Sequence, residues 1–245
     1  MNKEKLIKTR QRVQQHGEVF TPVKIVKEMI SMKGLSDKVK NIRATILEPA
    51  VGEGVFLVEI LNIRLKKLLK ECEILSEFEN KALLALSTLY GIELLEDNAQ
   101  KCVMSIYTKF IELYELAINK FKGKKRKNVM NSAKTIIAAN IQQGNFLTRL
   151  NLRDKPIVFS EWREVKSRSK NTIKIVRTEH TLDSIYNQVR NEDGFIESNE
   201  NRSELQLMLF EVEEVEEKNE NLKDFRYIPC SIINVYKEEM EEYER

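Results

Sequence analysis

The clearest change from apolar to polar positions lies between residues 45 and 71. The segment begins with a short apolar run and then has an acid, a proline and two glycines between Glu48 and Gly54. Apolar side chains then recur at helical spacing, at Val55, Val58, Leu61, Leu65, Leu68 and Leu69. This order predicts a strand, a tight turn and an amphipathic helix.

The rest of the chain continues the alternation of the two periodicities. Helical spacing predicts helices at about 1–15, 22–33, 77–87, 95–121 and 128–138. In the second of these, five apolar residues are expected to face the core: Val23, Ile25, Val26, Met29 and Ile30. Extended patterns predict strands at about 88–93, 139–143, 156–160 and 172–178. Strands that alternate with helices predict an α/β sheet.

Candidate chemistry lies where the first two strands end. Gly52 and Gly54 leave room for a ligand to approach the backbone, although a tight turn without a ligand has the same sequence. Free N–H groups at the start of the following helix favour an anion. Glu48 and Glu93 end the two strands, and an acid at the second position binds ribose hydroxyls in doubly wound folds.

Charge is distributed unevenly along the 245 residues. Residues 191–245 carry 6 Lys+Arg and 17 Asp+Glu, whereas residues 1–190 carry 35 and 21, so the body is basic and the tail acidic. The sharpest basic cluster comprises Lys120, Lys122, Lys124, Lys125, Arg126 and Lys127. Phosphate contacts and a solvated loop at a helix end are both compatible with this cluster.

Several classes of protein are not expected. No segment approaches about 20 consecutive apolar residues, which excludes a membrane span of the usual kind. The charged start of the chain does not resemble a signal peptide, and Cys72, Cys102 and Cys230 are typical of reduced thiols, so we expect a cytoplasmic protein. His16 and His180 have no partner at metal-binding spacing, and no metal site is predicted.

Three short motifs carry a family resemblance. Leu47 to Leu57 resembles the first cofactor motif of adenine-specific (N6) DNA methyltransferases, usually Asp-Pro-Ala-Cys-Gly-Ser-Gly. Upstream, Gly17 to Pro22 resembles the motif that closes over the methionine part of S-adenosylmethionine, and Gly144 to Leu147 resembles the motif that contacts the cofactor's adenine. Their order resembles the modification subunits of bacterial restriction–modification systems.

The resemblance implies a Rossmann-like, S-adenosylmethionine-dependent methyltransferase fold: α/β, with a central, mostly parallel sheet flanked by helices. This domain would span residues 1–190, with an N-terminal helical part at 1–43. Residues Phe20, Thr21 and Pro22 would close over the cofactor. Its amino acid part would lie at Glu48, Pro49, Ala50, Gly52 and Gly54. Glu93 would bind the ribose hydroxyls, and Asn145 and Phe146 would bind the adenine.

The catalytic motif departs from the family. The usual Asn/Asp/Ser-Pro-Pro-Tyr/Phe/Trp loop after strand four holds the amine of a flipped adenine, and two prolines stiffen it. This chain has four prolines and no adjacent pair. Ser160, Glu161 and Trp162 stand at the corresponding place, as polar residue, acceptor and stacking ring, although Trp162 equally fits a core or interface aromatic.

Two functions therefore remain open. The chain is either a methyltransferase that modifies the adenine amino group in DNA, or an inactive subunit of the same fold. The latter would bind DNA, a specificity or endonuclease subunit of a restriction–modification system, or the DNA polymerase sliding clamp.

The clamp hypothesis comes from the C-terminal part of the chain. Residues 191–224 are predicted to form an acidic flexible linker. Within them Gln206, Leu207, Leu209 and Phe210 resemble a clamp-docking peptide, although these side chains equally fit a segment folded back on the domain. A strand at 225–236 and an acidic helix at 237–244 are expected to follow.

Overall fold

The structure, a computed structural model, describes residues 8–16, 18–167, 172–186 and 224–243. Its helices are α1 Arg10–His16, α2 Val23–Ile30, α3 Leu35–Lys40, α4 Val55–Glu71, α5 Leu75–Ser87, α6 Glu96–Lys120, α7 Lys127–Asn140 and α8 Leu182–Tyr186. Its strands are β1 Ile46–Glu48, β2 Leu89–Glu93, β3 Ile141–Gln143, β4 Val158–Val165, β5 Lys174–Thr181, β6 Asp224–Tyr227, β7 Cys230–Ser231 and β8 Met240–Tyr243. The protein is mixed α/β, as the alternating patterns predict.

Three parallel strands form the first sheet, in the order β1-β2-β3. The register pairs Glu48 with Gly91 and Glu93 with Gln143, which brings the carboxyl ends of the strands together. Helices α4 and α6 connect successive strands and pack against each other. Among the described residues no strand pairs with β1 on its other side, and Leu47 is 40% exposed there.

Below this sheet the helices form a bundle. Because α4 and α6 are much longer than the strands, they extend past the sheet, and α5 and α7 return the chain to β2 and β3. The four helices enclose most of the hydrophobic core, including Phe78, Phe110 and Ile136. The sheet is therefore small, and apolar burial among helices supplies most of the hydrophobic stabilisation.

A buried arginine connects the helix bundle with the sheet through hydrogen bonds. Arg64 of α4 is fully buried and donates hydrogen bonds to the carbonyl groups of Val39, Ala44 and Ala85 and to Oγ1 of Thr88. Burial lowers the pKa of its guanidinium to about 10, so the group remains protonated at neutral pH. Its planar fork of donors satisfies backbone acceptors that lie between helices and strand.

The strand predicted at 156–160 does not extend the parallel sheet. Strand β4 instead pairs antiparallel with β5, and β5 with β7, in a second sheet. Its first residues lie across one face of the parallel sheet, where Phe159 makes an edge-to-face contact with Tyr90. The prediction of a mostly parallel central sheet therefore holds for three strands only, because β4 has its partner in β5.

The C-terminal residues also differ from the sequence-based expectation. A 3₁₀ helix follows β7 at Ile232–Lys237, and β8 pairs antiparallel with β6. The predictions of a continuous strand at 225–236 and of an acidic helix at 237–244 are therefore wrong. Pairing between strands overrides the helical propensity of the glutamates. The linker and the peptide at 206–210 lie outside the described residues.

Helix α2 is shorter than expected. The helix predicted at 22–33 ends at Ile30, with Pro22 as its N-cap. Val26 and Ile30 are buried against the core, whereas Ile25 and Met29 are 42% and 40% exposed. The prediction that Ile25 and Met29 face the core is therefore wrong, since a helix of this length buries only one stripe.

Candidate functional site

Three loops meet at the carboxyl ends of β1, β2 and β3. Val51, after β1, donates its backbone N–H to the carbonyl of Ile92 at 3.0 Å, and Gly144, after β3, donates to the carbonyl of Glu93 at 2.9 Å. The loops after β1 and β3 are therefore fixed to β2, the central strand. In open α/β sheets this edge is where ligands bind.

Glu93 organises the edge through its side chain. Its carboxylate accepts the backbone N–H of Gly52 at 2.8 Å and that of Leu95 at 3.0 Å, and only 7% of the residue is exposed. These contacts hold the glycine turn against the start of α6. Each carboxylate oxygen has two acceptor positions, so the group retains capacity for further donors such as ligand hydroxyls.

Glycine is required at the two positions of the turn for different structural reasons. Both have a positive φ, +56° at Gly52 and +88° at Gly54. A Cβ at Gly54 would lie 2.8 Å from Sγ of Cys102, so this position permits close packing of α4 on α6. A Cβ at Gly52 would meet only the ring of Phe20 at 3.8 Å, so Gly52 is required by its backbone conformation.

The N-terminal segment is joined to this edge by charged contacts. Arg12 of α1 bonds both Glu18 and Asp97, the latter in the first turn of α6. Lys8 contacts Asp97 at 2.8 Å and Glu53 of the glycine turn at 3.2 Å. Lys8, Arg12 and Glu18 therefore join the described part of the N-terminal segment to the loops after β1 and β2.

These ion pairs change the titration of the acids. Hydrogen bonds from Arg12 hold the pKa of Asp97 well below its usual range. Burial raises the pKa of Glu18, but hydrogen bonds from Arg12 and Asn98 outweigh burial and leave it below the usual range. Because both folded-state pKa values are depressed, the contacts are complete above about pH 4 and are lost as the pH falls further.

Replacing Asp97 with asparagine is expected to loosen α1. The substitution removes the charge that Lys8 and Arg12 share, so amide hydrogens of residues 10–16 should exchange faster at pH 7, measured by hydrogen-exchange mass spectrometry. Asp37→Asn, at an exposed position of α3, is the matched control. Equal exchange in the two variants would show that the ion pairs do not hold the helix.

The residues expected around the cofactor's amino acid part lie at this edge. Burial raises the pKa of Glu48, whose carboxylate also contacts the backbone of Ala50. Pro49 and Ala50 are exposed. The ring of Phe20 lies against Gly52, and Nζ of Lys8 is 5.6 Å from its centroid.

The other two residues of the upstream motif mark the end of the covering segment. Thr21 is exposed, and Pro22 is the N-cap of α2. The structure therefore brings the upstream motif and the glycine turn together.

The residues expected near the cofactor's adenine follow β3. Asn145 accepts the N–H of Leu147 at 2.9 Å through its side-chain oxygen, which closes a turn and leaves the amide nitrogen as a donor. Phe146 packs on the cluster formed by Ile92, Ile157 and Phe159.

Sequence reasoning missed two polar residues at the same edge. Nε2 of Gln143 is buried at the end of β3 without a hydrogen-bond partner among the described residues, and Gln143 lies beside Glu93 in the sheet. A buried amide donor without a partner is costly unless a ligand or water supplies an acceptor. Asn98 donates to Glu18 at 2.6 Å and links α6 to the N-terminal segment. Their positions beside the motifs were the only signal in the sequence.

The three predicted catalytic residues lie in strand β4, where a loop was expected. Alternation along the strand exposes Glu161 and buries Ser160 and Trp162 on the other face. Oγ of Ser160 accepts from Nε of Arg177 at 2.9 Å, and Nε1 of Trp162 donates to Asn140 at 2.9 Å. The guanidinium of Arg177 also lies 5.1 Å from the tryptophan ring. The three residues therefore do not converge on a common site, and a base-stacking role for the enclosed ring has no support in this geometry.

The described residues include no cluster of three or more histidine, cysteine, aspartate or glutamate residues that could hold a metal ion. Among them there is also no helix with the length and apolar character needed to cross a membrane.

Comparison with known proteins identifies the family. The family described as N-6 DNA Methylase matches residues 4–144, which include β1, β2 and β3 with the loops after β1 and β2, and end at Gly144, before Asn145 and Phe146. Neither the curated proteins nor the solved structures give a match. Because the family match spans more than half of the 245 residues, the chain belongs to the N-6 DNA methylase family.

Proposed function

We propose that this chain binds S-adenosylmethionine at the carboxyl ends of β1, β2 and β3, and that it serves the methylation of adenine N6 in DNA within a restriction–modification system. The observation that carries the proposal is the Glu93 carboxylate, fixed at the tip of β2 by the N–H groups of Gly52 and Leu95. A fixed acceptor at this position suits the ribose hydroxyls of a nucleoside cofactor.

The residues present fit the cofactor. Glu93 keeps free acceptor positions for hydroxyl groups. Gln143 has a buried amide donor without a partner among the described residues, and a nucleobase acceptor could pair with it. Glu48 and the turn at Gly52 are placed to hold the amino acid part, and Phe20 with the N-terminal segment excludes water. When bound, the cofactor supplies a methyl group on a positively charged sulfur.

Roles for the other motif residues follow the same arrangement. Thr21 and Pro22 position the segment that covers the methionine part, while Pro49, Ala50 and Gly54 shape the turn beneath it. Asn145 and Phe146 border the position proposed for the adenine. The protein's contribution at this edge is binding and orientation of the cofactor.

Calorimetric titration of the purified chain with S-adenosylmethionine tests the cofactor proposal. We expect saturable binding at micromolar concentrations, and absence of binding would refute the proposal. DNA from cells that express the chain, with its partner genes where present, should contain N6-methylated adenines in long-read sequencing.

A second candidate function is a non-catalytic subunit. Its support is specific: Ser160 and Trp162 are enclosed by Arg177 and Asn140, and β1 has an unpaired edge in the described part of the chain. Such a subunit would bind the cofactor while another chain provides the loop that holds adenine. Adenine methylation only on co-expression with a chain that carries an Asn-Pro-Pro-Tyr motif would favour this function. Methylation by this chain alone would exclude it.

Sliding-clamp binding remains a separate proposal, based on the sequence Gln206, Leu207, Leu209 and Phe210. A pull-down with purified clamp is expected to fail for the Leu209→Ala, Phe210→Ala double variant. Equal capture of the double variant and the unmodified chain would contradict the proposal.

A further inference from the structure

The basic cluster of the sequence forms a loop at the far end of the helix bundle. We call residues 120–127 the tip loop: they end α6 and begin α7. A Cβ added at Gly123 would clash with Cδ2 of Leu75, so the loop packs tightly on the start of α5. The site proposed for the cofactor is at the opposite end of α6.

Three basic residues of the tip loop are held by the protein. Nζ of Lys120 donates to the carbonyl of Leu69. Lys125 pairs with Glu115 at 2.8 Å, and Nε of Arg126 bonds the fully buried Glu79 at 3.0 Å. These contacts fix the loop, and they use the charges of Lys125 and Arg126 internally.

The other three lysines of the loop are exposed. The side chains of Lys122, Lys124 and Lys127 make no hydrogen bond or ion pair with any residue that the structure describes. At the adjacent ends of α4 and α5, Glu71 and Glu77 pair with lysines of their own helices. The loop therefore presents three exposed positive charges within six residues, without counter-charges in contact among the described residues, an arrangement that a polyanion stabilises.

The distance between the tip loop and the site proposed for the cofactor is close to the length of one helical turn of DNA. Helix α6 has 25 residues and connects the tip of β2 with the tip loop. Its length is about 37 Å at 1.5 Å per residue. One helical turn of DNA is about 34–36 Å. A duplex lying along the bundle would thus present the same face to both ends of α6.

We infer that Lys122, Lys124 and Lys127 bind the phosphate backbone of the DNA substrate about one helical turn from the adenine to be methylated. The identity of the substrate rests on the proposed function. Contacts of this kind position the duplex without reading its sequence.

Fluorescence anisotropy of the full chain with labelled DNA duplexes, over a range of salt concentrations, tests the inference. The triple variant Lys122→Glu, Lys124→Glu, Lys127→Glu is expected to bind a duplex of about two helical turns at least tenfold more weakly. The slope of log affinity against log salt should fall by about 3, because each lysine displaces about one counterion.

A charge-matched control separates local contacts from net charge. The variant Lys27→Glu, Lys33→Glu, Lys38→Glu changes three exposed lysines near the N-terminus by the same amount. It should bind the long duplex more tightly than the tip-loop variant does. On a duplex shorter than one turn the two variants should bind alike, since a short duplex cannot bridge both ends of α6. Thermal unfolding of each variant verifies that it is folded.

The outcomes distinguish this inference from the proposed function. Equal binding of the long duplex by both variants would overturn the inference, and it would leave cofactor binding untouched. Titration with S-adenosylmethionine should give the same affinity for the tip-loop variant and the unmodified chain. Absence of cofactor binding in the unmodified chain would instead refute the proposed function, whatever the DNA results.

Discussion

Replacing Glu93 with glutamine is expected to weaken the binding of S-adenosylmethionine by about 10- to 100-fold. A hydrogen bond to a charged group contributes about 1.5–3 kcal/mol, and 1.4 kcal/mol corresponds to a factor of ten in affinity. The amide has only one acceptor oxygen, so its NH₂ group must face one of the N–H donors of Gly52 and Leu95. Calorimetric titration measures the loss directly.

Glu96→Gln is the matched control for this experiment. Glu96 lies three residues further on, in the first turn of α6, and its carboxylate accepts a hydrogen bond from Gln100 at 2.8 Å. The control should bind the cofactor like the unmodified chain. If Glu93→Gln also binds normally while both variants are folded, the carboxylate at the tip of β2 does not hold the cofactor, and the proposed site is wrong.

Replacing Arg64 with leucine should lower the free energy of unfolding by about 4 kcal/mol. Arg64 satisfies three carbonyl groups and the hydroxyl of Thr88, and these acceptors are buried or partly buried. Each buried acceptor left unpaired costs about 1–3 kcal/mol, and burial of the leucine side chain offsets part of that cost. Urea denaturation at neutral pH measures the change.

Lys66→Met is the corresponding control on the same helix. Lys66 is exposed, and its substitution should change stability by less than about 0.5 kcal/mol. Arg64→Lys should remain strongly destabilising, because an ammonium group cannot reproduce the planar fork of donors. A loss below about 1 kcal/mol for Arg64→Leu would mean that the carbonyl groups find other partners in the folded protein.

Much of the first half of the fold was predictable from local patterns. The helices at 55–71 and 96–120 and the strands at 89–93 and 141–143 match their predicted positions within a few residues. Their apolar spacing and the turn residues between them are local signals, and here local and tertiary preferences agree. The order of the motifs along the chain also placed Glu48, Glu93 and Asn145 at strand ends.

Later elements were less predictable because strand pairing is not a local property. The strand at 156–160 has the composition of a fourth parallel strand, yet β4 pairs antiparallel with β5. The glutamates near the C-terminus favour a helix, yet β8 pairs with β6. In each case a partner distant in sequence determined the outcome, and no local pattern identifies that partner.

The sequence by itself determined the family, the strand-turn-helix at Gly52 and Gly54, and the acids at the strand ends, because these depend on residue type and spacing. Only the tertiary structure decided that Gly54 serves packing against Cys102, that Arg177 and Asn140 enclose Ser160 and Trp162, and that three lysines of the tip loop have no partner in the described part of the chain. Burial and pairing arise when distant segments pack together, so they could not be derived from local sequence alone.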